Sequence, residues 1–286
     1  RFFIGVIIEM EYADLHIHST ASDGMLKPEE VIDWAIKKGL KAISITDHDD
    51  VSQIETSLEY ASKKGFELIP GIELSTEYSG TEVHMLGYFF NYKDKELIDF
   101  LNKLKDSRTE RAKKMVKKLN NLGYNIDFED IKDNKTIGRP HIAREMIKKG
   151  YCKSMEEVFD RFLGYGKAAY VERYKLSPFE ALEKIKKCGG VVSLAHPGLI
   201  EHINKEVLIK RLVDWGLDGI EVYHTKHTKQ DVEYFERLVN KYNLIPTGGS
   251  DCHGDLVDGE PRLGDTTIPY NSVTMLKKLS YNNIKR

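Results

Sequence analysis

One plan recurs five times along this chain of 286 residues, and it limits what the chain can fold into. The segments "WAIKKGLKAISITDHD" (34–49), "YASKKGFELIPGIEL" (60–74), "KIKKCGGVVSLAHP" (184–197), "LVDWGLDGIEVYH" (212–224) and "LVNKYNLIPTGGSD" (238–251) share it. In each, an amphipathic helix ends in a turn, mostly with Lys or Gly near its close. A short β-rich run follows and finishes in a polar or ionisable residue. Repeated helix–strand alternation predicts a mostly parallel sheet covered on both faces. With 12–18 and 82–89 added, seven strands are expected. Their polar ends fall where (β/α) barrels carry their chemistry. An open doubly wound sheet would use a glycine-rich nucleotide turn after the first strand, and "HIHSTASDG" is not one.

Between the fourth and fifth strands the rhythm breaks. Residues 95–175 hold helical patterns, the longest with Leu97, Leu101, Leu104, Met115, Leu119 and Leu122 at helical spacing and Gly123 as its stop. Shorter patterns follow around "RPHIAREMIKKG" and "SMEEVFDRFLG". The expected organisation is an α/β barrel formed by 1–94 and 176–286, with 95–175 as a helical insert leaning over its mouth. A chain of this length can bury one large core.

Composition bounds the partners. Lys and Arg number 43 against 45 Asp and Glu, a net charge of −2, so no global field marks a nucleic-acid or membrane binder. Cys152, Cys188 and Cys252 are odd in number and widely spaced, with no disulfide framework or CxxC zinc pattern. A reducing, cytoplasmic setting is expected. The opening "RFFIGVIIEM" is too short to span a membrane. Met10 is a candidate start.

The stretch "ADLHIHSTASDG" places His16 and His18 on one side of a strand, because alternate residues point the same way. "GGSDCHGD" repeats the device with Asp251 and His253, leaving Cys252 on the other side as a packing residue. Six of the ten histidines, His16, His18, His48, His84, His196 and His253, fall at strand ends or just beyond, joined by Asp23, Glu73 and Asp251. Nine nitrogen and oxygen ligands exceed what one tetrahedral or octahedral ion can use. Two or three divalent metals are expected, Mn, Zn or Fe by donor type. Asp47, beside His48, is read as a support residue more readily than as a tenth ligand.

In order, "DLHIHSTASDG", "ITDHD", "PGIELS", "VHMLGY", "LAHPG" and "SDCHG" resemble the successive motifs of the PHP (polymerase and histidinol phosphatase) family. The resemblance implies a distorted seven-stranded (β/α), TIM-like barrel around a trinuclear metal centre. It implies that His16, His18, Glu73 and Asp251 bind one metal, and that Glu73, His84 and His196 bind a second, with Glu73 bridging. Asp23, His48 and His253 would bind the third. All nine positions are filled.

Such a centre activates water and clamps a phosphoryl group, which makes phosphate ester hydrolysis by metal-bound hydroxide the expected chemistry. "IGRPHIAR" and "GYGKAAYVER" resemble insert motifs of a PHP subgroup that hydrolyses nucleoside 3′,5′-bisphosphates and the 5′ ends of short RNAs. Arg139, His141 and Lys167 are the candidate holders of a phosphate that is not cleaved; Arg144 and Arg173 read as surface charges. The basic stretch 103–118 reads as a solvated helix face. His224 is left open between a donor to phosphate or leaving group and a partner of a ligand, and Tyr223 reads as packing. Expected partners are a small phosphorylated nucleotide or a short oligonucleotide, with no obligate protein partner. Histidinol-phosphate phosphatase and a non-catalytic metal-bearing module for nucleic acid or a polymerase are the rival readings. The insert motifs argue against the first and the complete ligand set against the second.

Overall fold

The computed structural model describes residues 10–131, 137–172, 174 and 176–284; Arg173 and residues 1–9 lie outside them. The elements run β1 (Tyr12–Ile17), α1 (Pro28–Lys37), β2 (Ala42–Ile45), α2 (Ile54–Lys63), β3 (Glu67–Tyr78), β4 (Thr81–Tyr88) and α3 (Lys95–Asn121). Then come α4 (Arg139–Lys148), α5 (Met155–Val158), α6 (Pro178–Lys187), β5 (Val191–Leu194), α7 (Lys205–Asp214), β6 (Gly219–His224) and α8 (Lys229–Tyr242). The chain ends with β7 (Ile245–Gly249), a small ribbon of β8 (Leu256–Val257) and β9 (Glu260–Pro261), β10 (Ile268–Pro269) and α9 (Asn271–Ile284).

Helix starts are written locally. Pro28 and Pro178 open α1 and α6 where a missing N–H costs nothing, and Ser177 caps α6 together with Glu180. The strands that follow are apolar on both faces, and all four residues of β2 are buried.

The main sheet has the order β10-β1-β2-β3-β4-β5-β6-β7. It curls until the end of β7 meets β1, where Asp251 N–H donates to His16 O (2.8 Å) and His18 N–H to Cys252 O (2.9 Å). Gly249 makes this closure possible, since a Cβ there would lie 2.4 Å from His16 N. Gly249→Ala should therefore cost about 1–3 kcal/mol as an overpacked seam. A lowered urea midpoint would register it; an unchanged one would mean that the seam is loose.

Within the mostly parallel sheet one central strand is reversed. β4 runs antiparallel to both neighbours, with Tyr78 opposite Thr81 and Met85 opposite Leu194. Ser79 and Gly80 join β3 to β4, both with positive φ, and two residues can close a hairpin but cannot make a crossover. The early part of β4, rather than its end, thus lies on the rim with the end of β3. An eighth short strand, β10, also pairs antiparallel with β1.

Among the described residues of 95–172, α3, α4 and α5 are the main elements. Leu97, Leu101 and Leu104 of α3 pack in the barrel's main hydrophobic cluster. Ala112, Met115, Val116 and Leu119 pack in a separate cluster with Ile142, Met146, Phe162 and Leu163. One helix serves two cores. "SMEEVFDRFLG" forms one α turn and then a π turn over Phe159–Leu163, closed by Gly164 N–H to Phe159 O (2.8 Å). Among the described residues no helix is long and apolar enough to cross a membrane.

Candidate metal centre

All nine candidate ligands converge at the barrel mouth. β1 alternates Leu15 and Ile17 into hydrophobic clusters with His16 and His18 into the interior, both essentially unexposed. The loop after β1 brings Asp23, and Asp47 holds that loop by accepting from Ser19 N (2.8 Å), Ser19 Oγ (2.6 Å) and Ser22 Oγ (2.6 Å). Asp47 braces the loop rather than orienting His48. His48 follows β2, and Glu73 lies within β3. His84 sits on β4 opposite Ser75, and the hairpin explains how it reaches the rim from the early part of its strand. His196 and Asp251 follow β5 and β7 with positive φ, uncommon backbone for residues of these types and frequent at functional sites.

Donor atoms fall into four overlapping groups: His18, Asp23, His48 and His253; His16, His18 and Asp251; His16, Glu73 and His196; and His48, Glu73 and His84. Within each, the atoms lie within 4.8 Å of one another. Glu73 is central and wholly buried. Its Oε1 is 2.8 Å from His84 Nδ1 and 3.1 Å from His196 Nε2. Its Oε2 lies 3.2–3.3 Å from nitrogens of His16, His18 and His48, yet is buried without a hydrogen bond. His18 Nδ1 is buried and unbonded too, and His18 Nε2 stands 3.3 Å from His16 Nε2. Lone pairs crowded this way around an orphaned carboxylate oxygen fit bound cations, which would satisfy donors that water does not reach. The donors are imidazole and carboxylate, the set that suits Mn, Zn or Fe.

Without cations, protons do this work. Burial pushes the His18 imidazole down, but the carboxylates of Asp251 and Glu73 beside its Nε2 carry it up to about 10. His84, likewise opposed by burial, is carried up to about 9 by Glu73. His48 is pushed down by burial to about 3. Burial raises the Glu73 carboxyl, but the imidazoles packed around it outweigh that and hold it well below the usual range.

Sequence reading missed several supports. Glu221 Oε1 accepts from His16 Nδ1 (2.9 Å), leaving Nε2 with its lone pair toward the centre, while Oε2 accepts from His196 N (2.6 Å). A register shift after Glu221 in β6 lets Glu221 and His224, three apart, both face inward. Strict alternation hid that pairing. Tyr223 packs outside the barrel and donates to Glu236 (2.6 Å). Asp14 ties β1 to β7 by accepting from the backbone N–H of His16, Ser250 and Gly264, and burial raises its carboxyl to about 6. His224 Nδ1 accepts from Lys226 N (3.2 Å), so the proton on Nε2 faces Asp251 Oδ2 at 3.3 Å. Cys252 is buried in a hydrophobic cluster, as expected of packing.

The PHP domain model matches residues 14–195, more than half of the chain, including six of the nine candidate ligands. The chain belongs to the PHP domain family. It is 32% identical to a 5′-3′ exoribonuclease of Haemophilus influenzae, over 84% of this chain and 89% of that protein. It is 31% identical to a 3′,5′-nucleoside bisphosphate phosphatase of Chromobacterium violaceum, over 85% and 88%. Among solved structures, a candidate metal-dependent phosphoesterase from Bifidobacterium adolescentis superposes with a TM-score of 0.86 at 26% identity, over 93% of this chain and 96% of that one. This PHP protein is a metal-dependent phosphoesterase.

Over the centre of the PHP barrel lies a cleft of about 700 Å³. Asp23, His48 and His84 line it together with Arg108, Arg111, Arg139, Phe159 and Tyr174. Arg139 pairs with Glu82 (2.8 Å) and lies 5.3 Å from the Phe159 ring centre. His141 Nδ1 accepts from Gly138 N (3.0 Å) and so caps the start of α4. Lys167 is exposed and is not among the residues lining the cleft. Arg144 is no loose surface charge: its Nη2 donates to Asp23 O (2.6 Å). Nor is the whole of 103–118 a solvated face. Arg108 turns inward onto Asp49. Helical periodicity marks a polar face and does not say what stands opposite it.

Metal uptake by this PHP centre should release protons. His18 and His84, raised to about 10 and about 9, are protonated at pH 7, whereas a ligand imidazole must be neutral. Apparent affinity therefore rises with pH. Calorimetric Mn²⁺ titration at pH 7 in two buffers of different ionisation enthalpy should give different heats; identical heats would refute the assignment.

Proposed function

We propose that this phosphoesterase removes a phosphate from small phosphorylated nucleotides, in particular the 3′-phosphate of nucleoside 3′,5′-bisphosphates. The observation that carries this reading is the cleft, which gathers metal-type donors, arginines and aromatic rings along one lining. A second phosphate fits the arginines, and a base fits the rings. The C. violaceum relative named a bisphosphate phosphatase supports the choice.

In this reading His16, His18, Glu73 and Asp251 hold one metal; Glu73, His84 and His196 hold a second; Asp23, His48 and His253 hold a third. Divalent cations bound there lower the pKa of a water and take up charge developing on the phosphoryl oxygens. The two Glu73 oxygens, each facing a different set of imidazoles, make it the bridge. Glu221 fixes the tautomer of His16, and His224 steadies Asp251 rather than serving as an acid. Arg139 exchanges Glu82 for the uncleaved phosphate, and His141 secures the turn from which Arg139 projects. Lys167 has a lesser part, outside the cleft. Residues 95–175 act as the specificity element. The cysteines, all free, accord with a reducing, cytoplasmic setting.

Short 5′-phosphorylated RNA is the second reading. A further cleft of about 1110 Å³, lined by Tyr165 and Tyr170, shares Glu82, Arg111 and Arg139 with the first and offers a path for a longer substrate. A phosphate-release screen with Mn²⁺ decides among nucleoside bisphosphates, nucleoside monophosphates, histidinol phosphate and 5′-phosphorylated short RNA. Preference for the bisphosphate is expected; preference for histidinol phosphate would overturn the reading.

A further inference from the structure

We propose that Arg108 is a positioning residue that sets the aim of His48 in the metal centre through Ser75 and Asp49. The inference rests on the reading of His48 as a metal ligand.

Arg108 lies on α3 between Leu104, which packs in the barrel core, and Ala112, which packs in the second core. From there its guanidinium reaches down to the rim. Nε donates to Asp49 Oδ2 at 2.7 Å, and Nη2 approaches the same oxygen at 2.5 Å. Nη2 also donates to Ser75 Oγ at 2.7 Å. Asp49 in turn accepts from Ser75 N through Oδ1 (3.1 Å), and its own N–H donates to Glu73 O (3.0 Å). Asp49 holds positive φ, a conformation that a non-glycine residue keeps when its surroundings impose it.

Ser75 Oγ stands 3.3 Å from His48 Nδ1. A hydroxyl oxygen can accept twice, so it takes one bond from Arg108 and one from the Nδ1–H of His48. With the proton on Nδ1, which also lies 3.2 Å from Glu73 Oε2, Nε2 turns its lone pair toward Asp23 Oδ2 at 4.0 Å, and Asp23 joins His48, His18 and His253 in one of the two donor groups that include His48. Removing Arg108 frees the Ser75 hydroxyl to rotate. It also strips the cation from Asp49, whose side chain is 3% exposed. One side chain of α3 therefore ties the wall of the substrate cleft to a ligand of the centre.

The rival role is direct phosphate binding, because Arg108 also lines the cleft. Calorimetric Mn²⁺ titration of the metal-stripped full chain, with KM and kcat for a phosphorylated substrate, separates the two. Arg108→Ala should weaken one class of Mn²⁺ site by about 10- to 100-fold, the range seen when partners of metal ligands are removed, and leave the others in place. Ser75→Ala, a mild change in a strand, should weaken the same class, and Arg108→Lys should restore part of it. Unchanged Mn²⁺ binding in both Arg108→Ala and Ser75→Ala, with a raised KM, would overturn the proposal and make Arg108 a phosphate ligand. His48→Asn separates the premise from the inference. If it weakens that class while Arg108→Ala does not, only the inference fails; if it changes no Mn²⁺ site, His48 is not a ligand and both fall.

Discussion

Glu73→Gln should leave a folded chain that no longer releases phosphate, with kcat/KM lower by more than about 100-fold, beyond the loss typical when a partner of a ligand is removed. The carboxylate is wholly buried and faces five imidazoles, two through Oε1 and three through Oε2. Glutamine keeps the shape and loses the charge. Its amide nitrogen cannot accept a metal on one of the two sides, so the bridge fails whichever way the amide turns. Metal content and kcat/KM should fall together, with the circular dichroism spectrum unchanged. Activity within tenfold of the parent would remove Glu73 from the bridge.

Arg139→Ala should discriminate between substrates rather than abolish turnover. A charge-assisted hydrogen bond is worth about 1.5–3 kcal/mol, so losing one lowers kcat/KM by roughly 10- to 150-fold. That loss should fall on a nucleoside 3′,5′-bisphosphate and much less on a minimal aryl phosphate, which has no remote group to hold. The Glu82 partner sharpens the expectation, because in the free protein it already occupies the guanidinium that the phosphate would take. Measured at one ionic strength, an equal loss on both substrates would place Arg139 in the scaffold.

Much of the barrel and its centre was legible in the sequence, for a physical reason. Alternation in a strand and apolar runs between helices are local patterns, so His16 beside His18, and Asp251 beside His253, announce themselves. What escaped depends on pairings far apart in the chain. Glu221 is a polar residue in an apolar strand, and its bond to His16, 205 residues away, exists only once the barrel closes. Asp14 and Gly249 acquire meaning at the seam where β7 meets β1. The Ser79–Gly80 turn is a hairpin signal that fixes β4 as an antiparallel strand, a direction the expectation of a mostly parallel sheet left open. Arg108 was hidden by its setting, since a basic helix looks solvated until the carboxylate opposite it is known. Lys167 shows the reverse, because a motif resemblance does not say which way an exposed side chain points.

If the nine residues form a multinuclear centre that hydrolyses phosphate esters, metal stoichiometry and turnover must rise together. The most direct measurement is metal content by elemental analysis, paired with anomalous scattering, on protein whose Mn²⁺-dependent phosphate release has been measured in the same preparation. Two or three ions per chain are expected within the Glu73 cluster, with activity rising as the sites fill. Full activity with a single ion per chain, or with ions bound elsewhere, would contradict a multinuclear centre.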